Sequence, residues 1–146
     1  MTSSTVLAGS IIGAMLLAGS APASAQLGAV FEGSRWSIVE VYGEPLPQDD
    51  SPFIAFEDGG KFIGRTACNW FHGSYSAGTG SIVLLTRLTT LRGCIIGNKR
   101  RPDATLEALD STASYSVTGS VLTLSDDTGD PVARLEKQAD DTASGP

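Results

Sequence analysis

The sequence predicts a small, mainly β domain of the α+β class, built from antiparallel hairpins and one short helix. Apolar residues occur in short runs of strand length. Segments rich in Gly, Pro, Asp and Ser, which favour turns, separate these runs. A single segment, residues 102–110, carries helical spacing instead. The chain of 146 residues fits one globular domain of this kind.

Eight apolar runs predict the strands, and the turns between several of them are short enough for neighbouring runs to pair as hairpins. The runs cover residues 36–42, 53–56, 61–68, 71–75, 82–85, 115–117, 121–124 and 132–135. The predicted turns cover residues 45–50, 57–60, 77–80, 118–120 and 126–130.

Residues 102–110 predict a helix of roughly two to three turns. Pro102 suits the first turn, and Asp103 lies near the positive end of the helix dipole. Leu106, Leu109 and Ala113 recur at helical spacing and form a narrow apolar side. The helix is therefore expected to plug or flank the sheet rather than stand alone.

An internal similarity supports the hairpin prediction. Residues 74–84 (SYSAGTGSIVL) resemble residues 114–124 (SYSVTGSVLTL), with a turn one residue shorter in the second copy. Both copies follow the order strand, glycine turn, strand. Chance similarity in a chain rich in Ser and Gly is the alternative, because two copies do not make a repeat array.

The first 25 residues predict a signal peptide. They contain no charged side chain, and residues 6–18 form an apolar run of the length found in such peptides. Residues 23–25 (Ala-Ser-Ala) match the small-residue cleavage pattern. We therefore expect a periplasmic or secreted protein. An uncleaved anchor, or a cytosolic product started at Met15, is the alternative, since no Lys or Arg precedes the apolar run.

The mature chain is expected to have flexible ends around one domain. Residues 26–33 are predicted to be a flexible segment, 34–137 the domain, and 138–146 a disordered acidic tail. Ser20 stands where a lipoprotein would need cysteine, so no lipid anchor and no membrane span is expected after cleavage. A monomer is expected.

Composition disfavours several functional classes. The chain has 10 Lys and Arg against 16 Asp and Glu, a net charge of -6, which argues against nucleic acid as a partner. Only one histidine and two cysteines are present. Most catalytic constellations cannot be assembled from this set, so we expect no catalytic residue, no cofactor, no metal and no enzymatic activity.

The two cysteines, Cys68 and Cys94, are expected to form a disulfide in an oxidising compartment. Two buried thiols, or a redox-active or metal-bound pair, are the alternatives. His72 lies four residues after Cys68, a spacing that places the two about 13 Å apart along a strand. A metal or a Cys-His nucleophile is therefore disfavoured.

A motif in the middle of the chain resembles the META domain of bacterial HslJ-like envelope proteins. The strongest part is C-N-x-F-x-G-x-Y followed by T-T-x-x-x-C and then a helix. Its residues here are Cys68, Asn69, Phe71, Gly73, Tyr75, Thr89, Thr90, Cys94 and, in the helix, Glu107. The similarity extends from about residue 36 to residue 135 and departs from the family pattern at Ala67, Trp70 and Arg92-Gly93.

The resemblance implies a small antiparallel β-barrel or a strongly curved sheet with one helix. It also implies a link to heat shock, antibiotic tolerance and the cell envelope. It carries no catalytic residues over to this chain, so it predicts architecture better than mechanism.

Two further groups of residues have both structural and binding interpretations. The large aromatic residues are expected mainly to form the core, but some could line a barrel interior that holds an apolar ligand. The candidates for such a lining are Trp36, Phe56, Phe71 and Tyr75. A local basic group is expected to be a solvated loop or, alternatively, a patch for an acidic partner or anionic lipid. Its residues are Arg92, Lys99, Arg100 and Arg101.

Three functions are compatible with these observations. The first is a non-enzymatic envelope module that binds a protein or a small apolar ligand under stress. The second is a secreted inhibitor of a hydrolase such as a lysozyme or a protease, with contacts made by the loops at 77–80 or 95–101. The third is an enzyme that depends on His72, which is disfavoured because one histidine provides little acid-base chemistry.

Overall fold

A computed structural model describes residues 30–90, 94–96, 99–101 and 103–139, and shows an antiparallel sheet curled into a half-barrel. The strands are β1 Arg35–Val41, β2 Glu44–Pro45, β3 Phe53–Glu57, β4 Lys61–Arg65, β5 Trp70–Ala77, β6 Ile82–Thr89, β7 Cys94–Ile96, β8 Lys99–Arg101, β9 Ser114–Thr118, β10 Val121–Ser125 and β11 Pro131–Lys137. Eight of them follow the order β6-β5-β4-β3-β1-β11-β10-β9, with β2 paired to β1. The remaining pair, β7 and β8, forms a separate hairpin.

The mainly β fold with one helix is confirmed, and each of the eight predicted runs forms a strand. Three differences concern local structure. Residues 66–68 leave the sheet after β4, and the short strands β2, β7 and β8 were not predicted. Lys99–Arg101 was expected in a loop and lies in β8 instead, because its backbone pairs with Cys94–Ile96. The proposed signal peptide and residues 140–146 lie outside the described residues.

The sheet curls far enough for its two edge strands to meet at one end. Ser81, just before β6, forms an isolated antiparallel bridge with Ser114 at the start of β9. The amide of Ile82 donates to the Ala113 carbonyl at 3.2 Å, and the amide of Tyr115 donates to the Gly80 carbonyl at 3.0 Å. The two hairpins that share an internal similarity thus join the edges of the half-barrel.

The helix, α1 (Ala104–Asp110), packs against β1, β6 and β11. Asp103 caps it by accepting a hydrogen bond from the Thr105 amide at 3.1 Å. Its buried residues are Thr105, Ala108 and Leu109, so the apolar side differs from the predicted Leu106-Leu109-Ala113 stripe. Leu106 is only partly buried and Ala113 lies beyond the end of the helix, because the helix contains seven residues. No helix among the described residues is long and apolar enough to cross a membrane.

Phe31 occupies the centre of the core and corrects the predicted start of the domain. Its side chain is fully buried, and its ring centroid lies 4.9 Å from that of Phe56 and 4.8 Å from that of Tyr115. Residues 30–33 are therefore part of the domain rather than of a flexible segment. The last strand ends at Lys137, and the Gln138 side chain just beyond it donates to the Ser37 hydroxyl at 2.7 Å.

The four residues considered as a ligand lining belong to the packed core. Trp36, Phe56 and Phe71 are buried, and Tyr75 packs against them. The Tyr75 ring lies 4.9 Å from Phe56 and 6.0 Å from Phe31, both edge-on. Phe31 thus fills the space between rings that were candidates for holding a ligand.

Candidate functional site

The loop between β4 and β5 is held by hydrogen bonds to one buried hydroxyl. The Thr66 oxygen accepts from the amides of Asn69 at 2.9 Å and Cys68 at 3.1 Å. The same hydroxyl donates to the carboxylate of Asp103, the helix cap. Thr66 was not singled out from the sequence because its importance depends on Asp103, which is distant along the chain. The loop and the start of α1 are fixed to each other by this contact.

Asn69 extends the same network to the end of β6. Its side-chain nitrogen donates to Asp103 at 3.0 Å, and its side-chain oxygen accepts from the Thr90 hydroxyl at 3.1 Å. The Thr90 oxygen accepts in turn from the amide of Trp70 at 3.0 Å. Asn69 is buried, so these bonds form with little competition from water. The motif residues Asn69 and Thr90 therefore position the first residue of β5.

The disulfide adds a covalent link at the same place. Cys68 and Cys94 are bonded, with their Cα atoms 5.3 Å apart, which agrees with the predicted pairing. Asp103 lies beside the two sulfur atoms, close enough for the three groups to resemble a metal site. A disulfide has no thiolate to donate, so the bonded pair is unsuited to ligate a metal. His72 is exposed on β5 and is not among these groups.

The other motif residues lie in the sheet and in the helix. Phe71 points into the core, and the Phe62 ring lies over Gly73, its partner across β4 and β5. A Cβ at Gly73 would lie 2.0 Å from the Leu85 carbonyl oxygen, so only glycine lets β5 and β6 approach this closely. The Thr89 hydroxyl donates to the Thr90 carbonyl at 3.1 Å, and Glu107 is exposed on α1.

A groove of about 300 Å³ lies on the outer side of the sheet, next to the anchored loop. Trp70 is its largest exposed side chain, with 55% of its surface accessible. His72 is the one titratable side chain among the residues that line it. The lining residues are Ile63, Trp70, Phe71, His72, Thr89 and Thr90.

Two neighbouring side chains contact the Trp70 ring. The guanidinium of Arg65 lies 5.5 Å from the ring centroid, and Phe53 meets the ring edge-on at 6.2 Å. The Arg35 guanidinium lies over the Phe53 ring, 3.7 Å from its centroid. Trp70 is therefore held by ring contacts as well as by its backbone bond to Thr90, and 55% of its surface stays accessible.

The charges of the chain are divided unevenly along the sequence. Residues 61–101, which include β4 to β8, contain seven Lys or Arg and no Asp or Glu. The rest of the chain carries three Lys or Arg and all sixteen acidic residues. Of the predicted basic patch, Arg92 lies outside the described residues, while Lys99–Arg101 form β8, with the backbone of Arg101 opposite Cys94. A sequence-wide net charge hides this division.

These features define a class of protein: a small β half-barrel, capped by one helix, with a disulfide-anchored loop beside an outer groove. The chain belongs to the META domain family, which matches residues 29–139. That match starts before Ser34 and ends after Lys137, in agreement with the domain limits found in the structure. Among curated proteins, none matches this sequence.

Solved structures share the fold at low sequence identity. A DUF4847 family protein from Bacteroides vulgatus ATCC 8482 has a TM-score of 0.56 and 17% identity, and the match covers 77% of this chain and 99% of that one. A protein from Burkholderia xenovorans, solved by NMR, has a TM-score of 0.58 and 14% identity, with 95% and 97% covered. Another NMR structure has a TM-score of 0.54 and 19% identity, with 74% and 92% covered. These similarities concern the fold alone.

Proposed function

We propose that this protein is an exported, non-enzymatic binding module of the bacterial cell envelope, and that the outer groove at Trp70 is its binding surface. The exposed and fixed Trp70 ring is the observation on which the proposal depends. A large aromatic side chain held at a rigid, accessible position is typical of a binding site, since burying it on contact stabilises a complex by roughly 1.5 to 3 kcal/mol.

Rigidity supports this interpretation of the groove. Binding is weakened when side chains and loops must be ordered at the same time. Here the Asn69-Thr90-Asp103 network and the disulfide at Cys68 order the loop in advance. Little further ordering is then needed when a partner covers Trp70.

The exported location is supported by the apolar run at residues 6–18, by the cleavage pattern at residues 23–25 and by the disulfide. Disulfides persist in the periplasm or the medium and are rare in the cytosol. The mass of the protein recovered from its native cells tests this part. We expect a chain that starts at Gln26 and is two hydrogens lighter than the reduced sequence. A chain that retains Met1, or one with free thiols, would contradict it.

Cosedimentation of the purified mature protein with isolated bacterial envelopes tests the binding surface. We expect Trp70→Ala to lower the bound fraction about tenfold, since truncating a central aromatic contact costs more than 1 kcal/mol. The matched control is Tyr42→Asn, which removes another half-exposed ring on a different strand connection. Asn is suitable there because Tyr42 has a positive φ of 48°.

Two results would refute the proposal about the groove. One is the absence of cosedimentation by the folded wild-type protein. The other is an equal loss of binding in Trp70→Ala and Tyr42→Asn. That result would show that non-specific adsorption through exposed rings, rather than this groove, binds the protein to envelopes.

A further inference from the structure

We propose that the outward face of β4, β5 and β6 docks the protein on an anionic lipid bilayer. This inference rests on the proposed function and gives its partner a chemical class. Two independent features of the face carry it, namely a set of exposed apolar side chains and the absence of acidic residues from its strands. A bilayer with anionic headgroups is the partner that uses both features at once.

The exposed apolar residues of the domain are concentrated on this face. Ile63 on β4, Trp70 on β5, and Val83 and Leu85 on β6 are between 39% and 55% exposed. All four occupy the strand positions that alternate with core residues, so they point away from the core. Apolar side chains gathered on one surface of a monomer indicate a contact surface.

Cationic side chains lie on two of the same three strands, β4 and β6. Lys61 and Arg87 are exposed on β4 and β6, and Arg65 lies between Phe53 and Trp70 in the strand register. Lys61 pairs with Ser74, and Ser74 pairs with Leu85, so charge and apolar surface share one row across the sheet. Two acids adjoin the face from outside its strands. Asp50, in the loop before β3, reaches Arg65 at 3.8 Å, and Glu57 on β3 pairs with Lys61 in the strand register.

The division of charge favours one orientation on a negative surface. The Debye length is about 8 Å at physiological salt. It is shorter than the radius of gyration of about 13 Å expected for a domain of 100 residues. An anionic surface therefore interacts mainly with the protein charges nearest to it, and less with the net charge of -6. The cations Lys61, Arg65 and Arg87 on β4 and β6 are therefore attracted to an anionic surface although the net charge of the chain is negative.

Tryptophan at one end of the face matches the chemistry of a bilayer interface. Its ring is apolar and its N–H is polar, so it is stable at the headgroup level. Valine, leucine and isoleucine can enter the boundary of the acyl chains while lysine and arginine contact headgroup phosphates. An acidic protein would satisfy the cations but would leave the projecting apolar side chains without a matching surface.

Vesicle cosedimentation of the mature protein tests the inference. We expect binding to vesicles of equimolar phosphatidylglycerol and phosphatidylcholine, no binding to phosphatidylcholine alone, and release by added salt. The intrinsic fluorescence should shift to shorter wavelength on binding, and Trp70→Phe should abolish the shift, since Trp36 is already buried.

Matched variants separate the face from general electrostatics. Arg87→Gln should weaken vesicle binding about fivefold, the effect expected for one basic residue at an anionic surface. Lys137→Gln, at an equally exposed cation on β11, should leave binding unchanged. Val83→Ser combined with Leu85→Ser should also weaken binding, while circular dichroism verifies that each variant is folded.

Three outcomes would overturn the inference. Equal binding to both vesicle types would show that charge does not contribute to binding. An equal loss of binding in Lys137→Gln and Arg87→Gln would show that this face is not the contact surface. If the folded protein binds neither vesicle but still sediments with envelopes, a partner other than lipid is responsible. In that case the proposed function survives and the lipid inference fails, whereas loss of envelope binding as well would refute both.

Discussion

The β5–β6 and β9–β10 hairpins have similar sequences but chemically different outer surfaces. Each places a tyrosine, Tyr75 or Tyr115, against the ring of Phe31 in the core. The outward positions of β9 and β10 hold serine, threonine and a half-buried Val121. The outward positions of β5 and β6 include Trp70, His72, Val83, Leu85 and Arg87.

The difference shows that the inward and the outward side chains of a strand can vary independently. Side chains alternate between the faces of a sheet, so the inward half of a hairpin can be kept for packing while the outward half changes. The inward tyrosines and the glycine turns account for the internal similarity. The exposed Trp70, Leu85 and Arg87 of β5 and β6 lie outside the similar segments, so folding does not require these side chains, which agrees with the proposed binding surface.

Loss of the disulfide is expected to have the largest effect, and to act on the two hairpins unequally. The bond closes a separation of 26 residues. Replacing both cysteines with alanine should lower the free energy of unfolding by about 3 to 4 kcal/mol in urea titrations. Amide exchange should then increase in β5 and β6 more than in β9 and β10, because the bond anchors the loop before β5. Equal increases would show that the bond stabilises the domain without this preference.

Glycine substitutions are expected to have the next largest effect. Gly73→Ala places a Cβ 2.0 Å from a backbone carbonyl oxygen of β6, and we expect a loss of about 3 kcal/mol from this overpacking. Gly119→Ala, in the β9–β10 turn, meets open space but has a φ of +60°, so about 1 kcal/mol is expected. Urea midpoints of the two variants measure the difference. A reversed order would mean that β5 can move away from β6.

The smallest effect concerns Tyr75 at high pH. Burial, and after it the charges of Glu32 and Asp58, raise the pKa of Tyr75 above its ordinary value of 10.0. The folded state therefore holds the phenol proton more tightly, and stability is lost as the pH rises above that value. Tyr75→Phe should reduce this loss relative to the wild type, while the difference between the two proteins stays constant near neutral pH. Urea titrations on both sides of pH 10 provide the measurement, and identical pH profiles would contradict it.

Much of the fold could be predicted because short apolar runs and turn residues are local signals. Phe31 could not be placed in the same way, since a single buried ring after a small-residue segment gives no periodicity. The short hairpin β7–β8 was missed for a related reason. Its second strand, Lys99–Arg101, is made of cationic residues that are typical of loops, and only its pairing with Cys94–Ile96 defines it as a strand.

The site was only partly predictable. The motif identified Asn69 and Thr90, but their hydrogen bonds to each other and to Asp103 depend on three separate segments meeting. The outward position of Trp70 requires the phase of β5, which the sequence leaves open because the apolar Trp70 and Phe71 are adjacent. The acid-free stretch at 61–101, in contrast, is visible in the sequence once charge is examined segment by segment.

The central position of Phe31 has a consequence for the order of folding. Its ring packs against residues of β3, β5 and β9. The core around it therefore cannot close until all three strands have been synthesised. Contacts between such distant segments slow folding, because the connecting chain must first be brought together. The core contacts of Phe31 are therefore complete in a nascent chain only after β9 has been synthesised.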